Sequence, residues 1–171
     1  MCMGTVVPTH NEKQLSADEF IVSKTDAKGK ILYGNKIFIK ISGYEEHELL
    51  GQPHSILRHP EMPKIIFQLL WERLKAKKEI FAYVKNMCKD GSYYWVLANV
   101  TVTLGANEEV IDLHSVRRKP SAKAMQIIPS LYKQLLDAEK SGGVHASQKL
   151  LEKTLEAKGE SYDDFIFNLQ H

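Results

Sequence analysis

The chain has 171 residues, an apolar share of 43% and a formal net charge of +2 at pH 7. These values suit one domain with an appendage, or two very small ones, and exclude a chain too polar to build a core. Scattered Lys and Arg leave no electrostatic footprint for nucleic acid, and no apolar run approaches the roughly 20 residues a membrane-spanning helix needs.

Residues 1–18 read as a loose lead-in, without the basic flank and apolar core of a signal peptide. Cys2 and Cys88 stand far apart and lack CxxC spacing, which gives neither a disulfide framework nor a metal knuckle and suits a reducing, cytosolic setting. Phe20-Ile21-Val22 marks a short strand within 19–25. Asp26 to Gly29 has turn composition, and 30–34 reads as the second strand of a hairpin. Ile37, Phe38 and Ile41 form a helical stripe over 35–42, ended by Gly43. A further short turn covers 45–50. The stretch 52–62, with Pro53 and Pro60 inside it and Pro63 just beyond, should be irregular and constrained.

Ile66, Leu70 and Leu74 recur every four residues and predict an amphipathic helix over 63–77, with Pro63 in its first turn and lysines at its C-terminus. Strands follow at 80–87 and 92–104, joined by Lys89-Asp90-Gly91, a strong hairpin signal. A loop over 105–109 leads to the last strand, 110–117, and Pro120 closes the domain. The basic runs Lys75 to Lys78 and Arg117-Arg118-Lys119 read as solvated faces, with contact to a phosphate group as the alternative. Beyond Pro120 the spacing predicts helices over 122–140, 146–158 and 161–169, with breaks at Gly142-Gly143 and Gly159 and an N-cap with acidic first turn at Ser161 to Asp164.

Two strands, short helices, one longer helix and three strands imply an α+β domain over 19–120. It is a five-stranded antiparallel sheet with helices on one face and a concave space between them, followed by a helical extension over 121–171. This is the PAS arrangement.

The stretches GNKIFIKISGY, LLGQPHSILRHPEMP, LLWERLKAKKEIFAYVKN, KDGSYYWVLANVT and HSVRRKP carry a closer resemblance. Over residues 19–120 the chain resembles the PAS domains of aerotaxis and energy-taxis receptors, and most of all the soluble PAS subunit of a two-protein energy-taxis system. The resemblance implies non-covalent FAD binding and redox sensing. It also implies a cytoplasmic location and a membrane-anchored chemoreceptor-like partner that supplies the anchor and signalling rod. It implies a cofactor pocket of Asn35, Arg58, His59, Glu61, Trp71 and Asn86. Glu61 stands where Asp is usual in the family. Leu113 and His114 stand where tyrosines are common.

The residue types fit those roles, and each has a plainer reading beside it. Asn86 shares a strand face with Ala82 and Val84 and can present donor and acceptor together to a flavin's C4 carbonyl and N3–H; it could equally end a strand. Trp71 stacks near a ring or belongs to the core. Arg58 and His59 meet a diphosphate or ribose, or Arg58 pairs with Glu61 to staple the loop. Asn35 bonds the cofactor or caps the helix after it. Two rival functions stay open: a haem-binding gas sensor ligated by His54, His59 or His114, and a cofactor-free interaction module. A flavin-cysteine photosensor needs a Cys in the loop 51–57, which has none. No phosphate loop, HExxH or GxSxG motif points to an enzyme. The flanking helices suit packing on the domain, partner docking or a homodimer.

Overall fold

The computed structural model describes residues 5–171; Cys2 and the first four residues of the lead-in lie outside it. Five strands, β1 (Ile21–Asp26), β2 (Ile31–Gly34), β3 (Ile80–Met87), β4 (Tyr93–Leu104) and β5 (Val110–Arg118), form one antiparallel sheet in the order β2-β1-β5-β4-β3. Between β2 and β3 lie α1 (Lys36–Ser42), α2 (Glu46–Leu49), a 3-10 turn over His54–Leu57 and α3 (Lys64–Lys75). The α+β class and five-stranded antiparallel sheet match the expectation, and element boundaries move by one or two residues.

Local chemistry explains both hairpins. The Asp26 carboxylate accepts from the backbone of Lys28 and Lys30, both at 2.9 Å, and Gly29 takes φ +87. In the β3–β4 turn, Gly91 adopts φ +86, and a Cβ there would lie 2.1 Å from the Val7 carbonyl oxygen, so only glycine fits. That contact corrects one expectation. The lead-in is fastened, not loose: Thr9 N–H bonds Gly91 O, Tyr93 N–H bonds Asn11 O, Lys13 N–H bonds Tyr93 O, and Leu15 is buried.

Beyond the sheet, α4 spans Ala122–Lys158 and α5 spans Tyr162–Gln170. Gly143, at φ 71 and ψ −172, breaks α4 where the Gly-Gly pair predicts a break, and Gly159 caps its end in the left-handed region. Pro129 sits inside α4 and leaves one helical carbonyl without its usual donor. These helices cover the β3–β4 part of the sheet face opposite α1–α3, while His114 and Val116 of β5 stay exposed on that face. On β3, Ala82, Val84 and Asn86 point to one side and Tyr83 to the other, yet Tyr83 is also fully buried. Its hydroxyl donates to Ile166 O at 3.2 Å, while the Tyr132 hydroxyl donates to Tyr83 O at 2.7 Å. Tyr162 likewise donates to Phe81 O at 2.9 Å, and Trp95 lies against Tyr132.

From α4, Glu139 reaches α3. Its two carboxylate oxygens accept from the N–H groups of Lys64 and Ile65, each at 3.0 Å. Pro63 occupies the N-cap position of α3, one residue earlier than predicted, and offers no side-chain acceptor. Glu139 supplies that cap from 75 residues away.

Candidate functional site

A cavity of about 320 Å³ opens between the inner sheet face and α3. One wall is sheet: Val84 and Asn86 from β3, Ala98 and Val100 from β4, Leu113 and Arg117 from β5. The opposite wall is Phe67, Leu70, Trp71 and Leu74 of α3, a stripe whose half-buried members face the space and not solid core. Gly29 and His54 close one side and Arg58 another. The size lies at the low end of small-molecule sites, roughly 300–1,000 Å³, and the apolar walls suit a flat ring.

Three of the six predicted site residues meet here. Trp71 lines the cavity and packs against Gly29, where a Cβ would stand 3.5 Å from the indole. Asn86 is 3% exposed, and its amide nitrogen has no hydrogen-bond partner among the described residues. A buried donor left unpaired costs about 1–3 kcal/mol; the neighbouring Tyr94 hydroxyl, its cross-strand partner, is likewise buried and unpaired, so this nitrogen is free to meet an acceptor on a ligand. Arg58 joins Asn86 through a backbone bridge, and its guanidinium carbon lies 4.2 Å from the Phe67 ring centroid. Burial holds its pKa down and the Glu139 carboxylate partly offsets that.

The other three stand outside the lining. Asn35 caps α1: its Oδ1 accepts from Phe38 N–H at 3.0 Å and its Nδ2 donates to Phe20 O at 2.9 Å. His59 is buried, accepts from Glu61 N–H at Nδ1 at 3.1 Å and meets the Tyr93 ring edge-on. Burial lowers its pKa, and the Lys85 charge lowers it further. Glu61 pairs with Lys85 at 2.5 Å, so the Arg58–Glu61 staple does not form. The longer Glu side chain faces outward, and its Lys85 hydrogen bond holds its carboxyl below the ordinary range.

Arg117 and His54 are residues the reading of the sequence did not place in a flavin pocket. Arg117 is only 2% exposed, which corrects the reading of Arg117-Arg118-Lys119 as a solvated run. Strand alternation sets Leu113, Ser115 and Arg117 inward and His114 and Arg118 outward. The alternation of the strand carries that parity; a run of three adjacent basic residues hides it. The guanidinium donates to Ser23 Oγ and lies 3.3 Å from His54 Nε2 and 4.8 Å from the Phe38 ring centroid. Its Nε has no partner. Burial brings its pKa down to about 10. Burial, with the Arg117 charge beside it, brings His54 down to about 3, so the imidazole is neutral at physiological pH. Because a guanidinium can only donate, His54 Nε2 is the acceptor of that contact.

With Arg117 on His54 Nε2, Glu61 N–H on His59 Nδ1 and His114 on the outer face, none of the three histidines offers the cavity an evident haem ligand. Cys88 does not line the cavity either; it is buried, and its thiol lies 3.1 Å from Ile41 O. Burial pushes its pKa up, away from a reactive thiolate.

A sheet-backed cavity beneath a long helix defines the class of the protein. The family described as the PAS fold matches residues 31–117, and the chain belongs to it. It is similar to the aerotaxis receptor of Escherichia coli (strain K12), 34% identical over 137 residues, 80% of this chain and 27% of the receptor. It is also similar to the nitrogen fixation regulatory protein of Klebsiella pneumoniae, 30% identical over 89 residues, 52% of this chain and 18% of that protein. The chain thus spans about a quarter or less of these relatives. Among solved structures, a light-oxygen-voltage domain described in connection with a flavin analogue superposes with TM-score 0.56 at 21% identity, covering 65% of this chain and 83% of that one. The light state of the blue-light photoreceptor Aureochrome1 LOV gives 0.53 at 21%, covering 74% and 93%. At that identity the likeness is one of fold. No helix among the described residues is long and apolar enough to cross a membrane.

Proposed function

We propose that this chain is a cytoplasmic redox sensor that binds FAD non-covalently in the cavity and passes the flavin's redox state to a membrane-anchored, chemoreceptor-like partner. It acts as a signalling module and not as an enzyme. The observation that carries the reading is the pairing of an apolar slot with the unpaired, buried Asn86 amide nitrogen. A flavin ring fills such a slot and offers its C4 carbonyl to that donor. The sensory names of the relatives support the signalling role.

In this reading Asn86 holds the pyrimidine edge, Trp71 and Phe67 cover the ring, and Arg58 reaches the diphosphate at the mouth. Asn35, His59 and Glu61 keep the surrounding loops in place. Bound flavin supplies reversible electron storage with proton uptake at N5. Asn86, on the same strand as Tyr83 and Phe81, responds to a change in that hydrogen bonding. The carbonyls of Tyr83 and Phe81 are gripped by Tyr132 and Tyr162, so a shift of β3 reaches α4 and α5 directly. Moving such a switch from 1:9 to 9:1 needs only about 2.6 kcal/mol, within reach of one or two hydrogen bonds.

The test is an absorption spectrum of the purified chain, with release and identification of any chromophore and titration of stripped protein with FAD. A flavin spectrum and saturable uptake are expected. Colourless protein that takes up no FAD would end the reading in favour of a cofactor-free module, and a haem spectrum in favour of a gas sensor.

A further inference from the structure

Arg117 carries a full charge into the cavity wall, and none of the described residues neutralises it. Its neighbours are a hydroxyl, a neutral imidazole and an aromatic face, and no carboxylate among the described residues pairs with it. The buried Tyr94 phenol lies nearby, held neutral by burial, and its hydroxyl is itself without a hydrogen-bond partner among the described residues. Its Nε–H is unpaired, as is Asn86 Nδ2, so the buried polar atoms left unpaired on the lining are donors. An isolated buried cation is destabilising unless a ligand completes it. His54 fits this arrangement: it orients the guanidinium by accepting at Nε2 and adds no second charge.

We propose that Arg117 is the charge-selecting residue of the cavity and holds the anionic edge of reduced flavin more tightly than the neutral edge of the oxidised ring. The proposal rests on the flavin reading above. Two electrons and one proton, the proton going to N5, convert the neutral oxidised ring to a monoanion with its charge over N1 and the C2 carbonyl. In the test, dithionite is the electron donor and is itself oxidised to sulfite. The guanidinium makes an ion–dipole hydrogen bond to the neutral oxidised edge and a stronger, ion-paired one to the anionic reduced edge. Arg117 therefore raises the flavin's reduction potential.

The experiment compares wild type, Arg117→Gln and Arg117→Lys, each titrated anaerobically with oxidised and with dithionite-reduced FAD at fixed pH, with riboflavin in parallel. Arg117→Gln is expected to reduce the preference for reduced over oxidised flavin by at least tenfold, which for a two-electron couple lowers the potential by about 30 mV. Arg117→Lys keeps most of the preference. Equal loss of both redox forms, or loss with FAD and not with riboflavin, makes Arg117 a general or diphosphate contact and overturns the proposal. An unchanged potential overturns it while leaving the flavin reading intact. No uptake by wild type overturns both. A flavin-free arm guards against variants that do not fold. Arg117→Met without ligand should melt no lower than wild type, because it removes an uncompensated charge; a clear loss of stability makes Arg117 a structural residue and ends the proposal.

Discussion

At the residue scale, the cavity joins groups that the protein leaves unfinished. Asn86 keeps a donor without an acceptor among the described residues, and in the proposed reading a flavin supplies that acceptor. Asn86→Ala should weaken FAD binding about tenfold, roughly 1.4 kcal/mol, with the far-ultraviolet circular dichroism unchanged. Calorimetric titration reads this directly, and equal affinities would show that the amide does not touch the ring. His54 makes a pH prediction. Its folded-state pKa of about 3 lies below the usual 6.5, so between those values the unfolded chain binds the extra proton. Stability from this group is complete above pH 6.5 and falls as the pH drops toward 3, by up to about 1.4 kcal/mol per unit. His59, shifted in the same direction, adds to the slope. Denaturant melts at pH 7, 6 and 5 should show the loss, and His54→Gln should flatten most of it.

At the element scale, two short-range problems are solved by remote parts of the chain. The N-terminus of α3 follows Pro63 and has no local cap, and Glu139 caps it from α4. Glu139→Ala should cost about 1–2 kcal/mol in urea denaturation. It should also loosen the junction between α4 and the cavity, since Glu139 also acts on Arg58. If the urea midpoint does not move, the cap contributes nothing. The β3–β4 turn likewise serves two purposes, closing the hairpin and seating the lead-in. Gly91→Ala must place a Cβ both at positive φ and against Val7 O. A loss above about 1 kcal/mol is expected, with faster hydrogen exchange at Thr9 and Lys13, the lead-in amides bonded to this turn and to β4.

At the scale of the whole molecule, the sheet is covered on both sides, by α1–α3 inside and by α4–α5 over β3 and β4 outside. Tyr83, Leu97 and Trp95 face those outer helices and depend on them for burial. A chain ending at residue 120 would expose this surface. It should elute as aggregate or melt well below the full chain, whereas a monodisperse, equally stable 1–120 would mean that the extension is an independent appendage. The same cover ties the extension directly to β3, through Tyr132 on Tyr83 O and Tyr162 on Phe81 O.

The hydrophobic spacing and turn residues determined the strands, the helices and their order, because period-2 and period-3.6 patterns are local properties of the chain. Asp26 to Gly29, Asp90-Gly91, Gly143 and Gly159 marked their own turns and breaks. Asn35 as a cap and Asn86 on the Ala82–Val84 face were also legible, since both follow from position within one element. What only the tertiary structure decided were relations between elements distant in sequence. Glu61 meets Lys85 and not Arg58, and His59 turns away from the cavity. The lead-in docks on Gly91, and Glu139 reaches Lys64. Arg117 belongs to the cavity because β5 is flanked by β1 and β4, which turns its inward face into the floor of the space. Burial and pairing depend on what the rest of the chain brings alongside, and a run of adjacent basic letters carries no record of that.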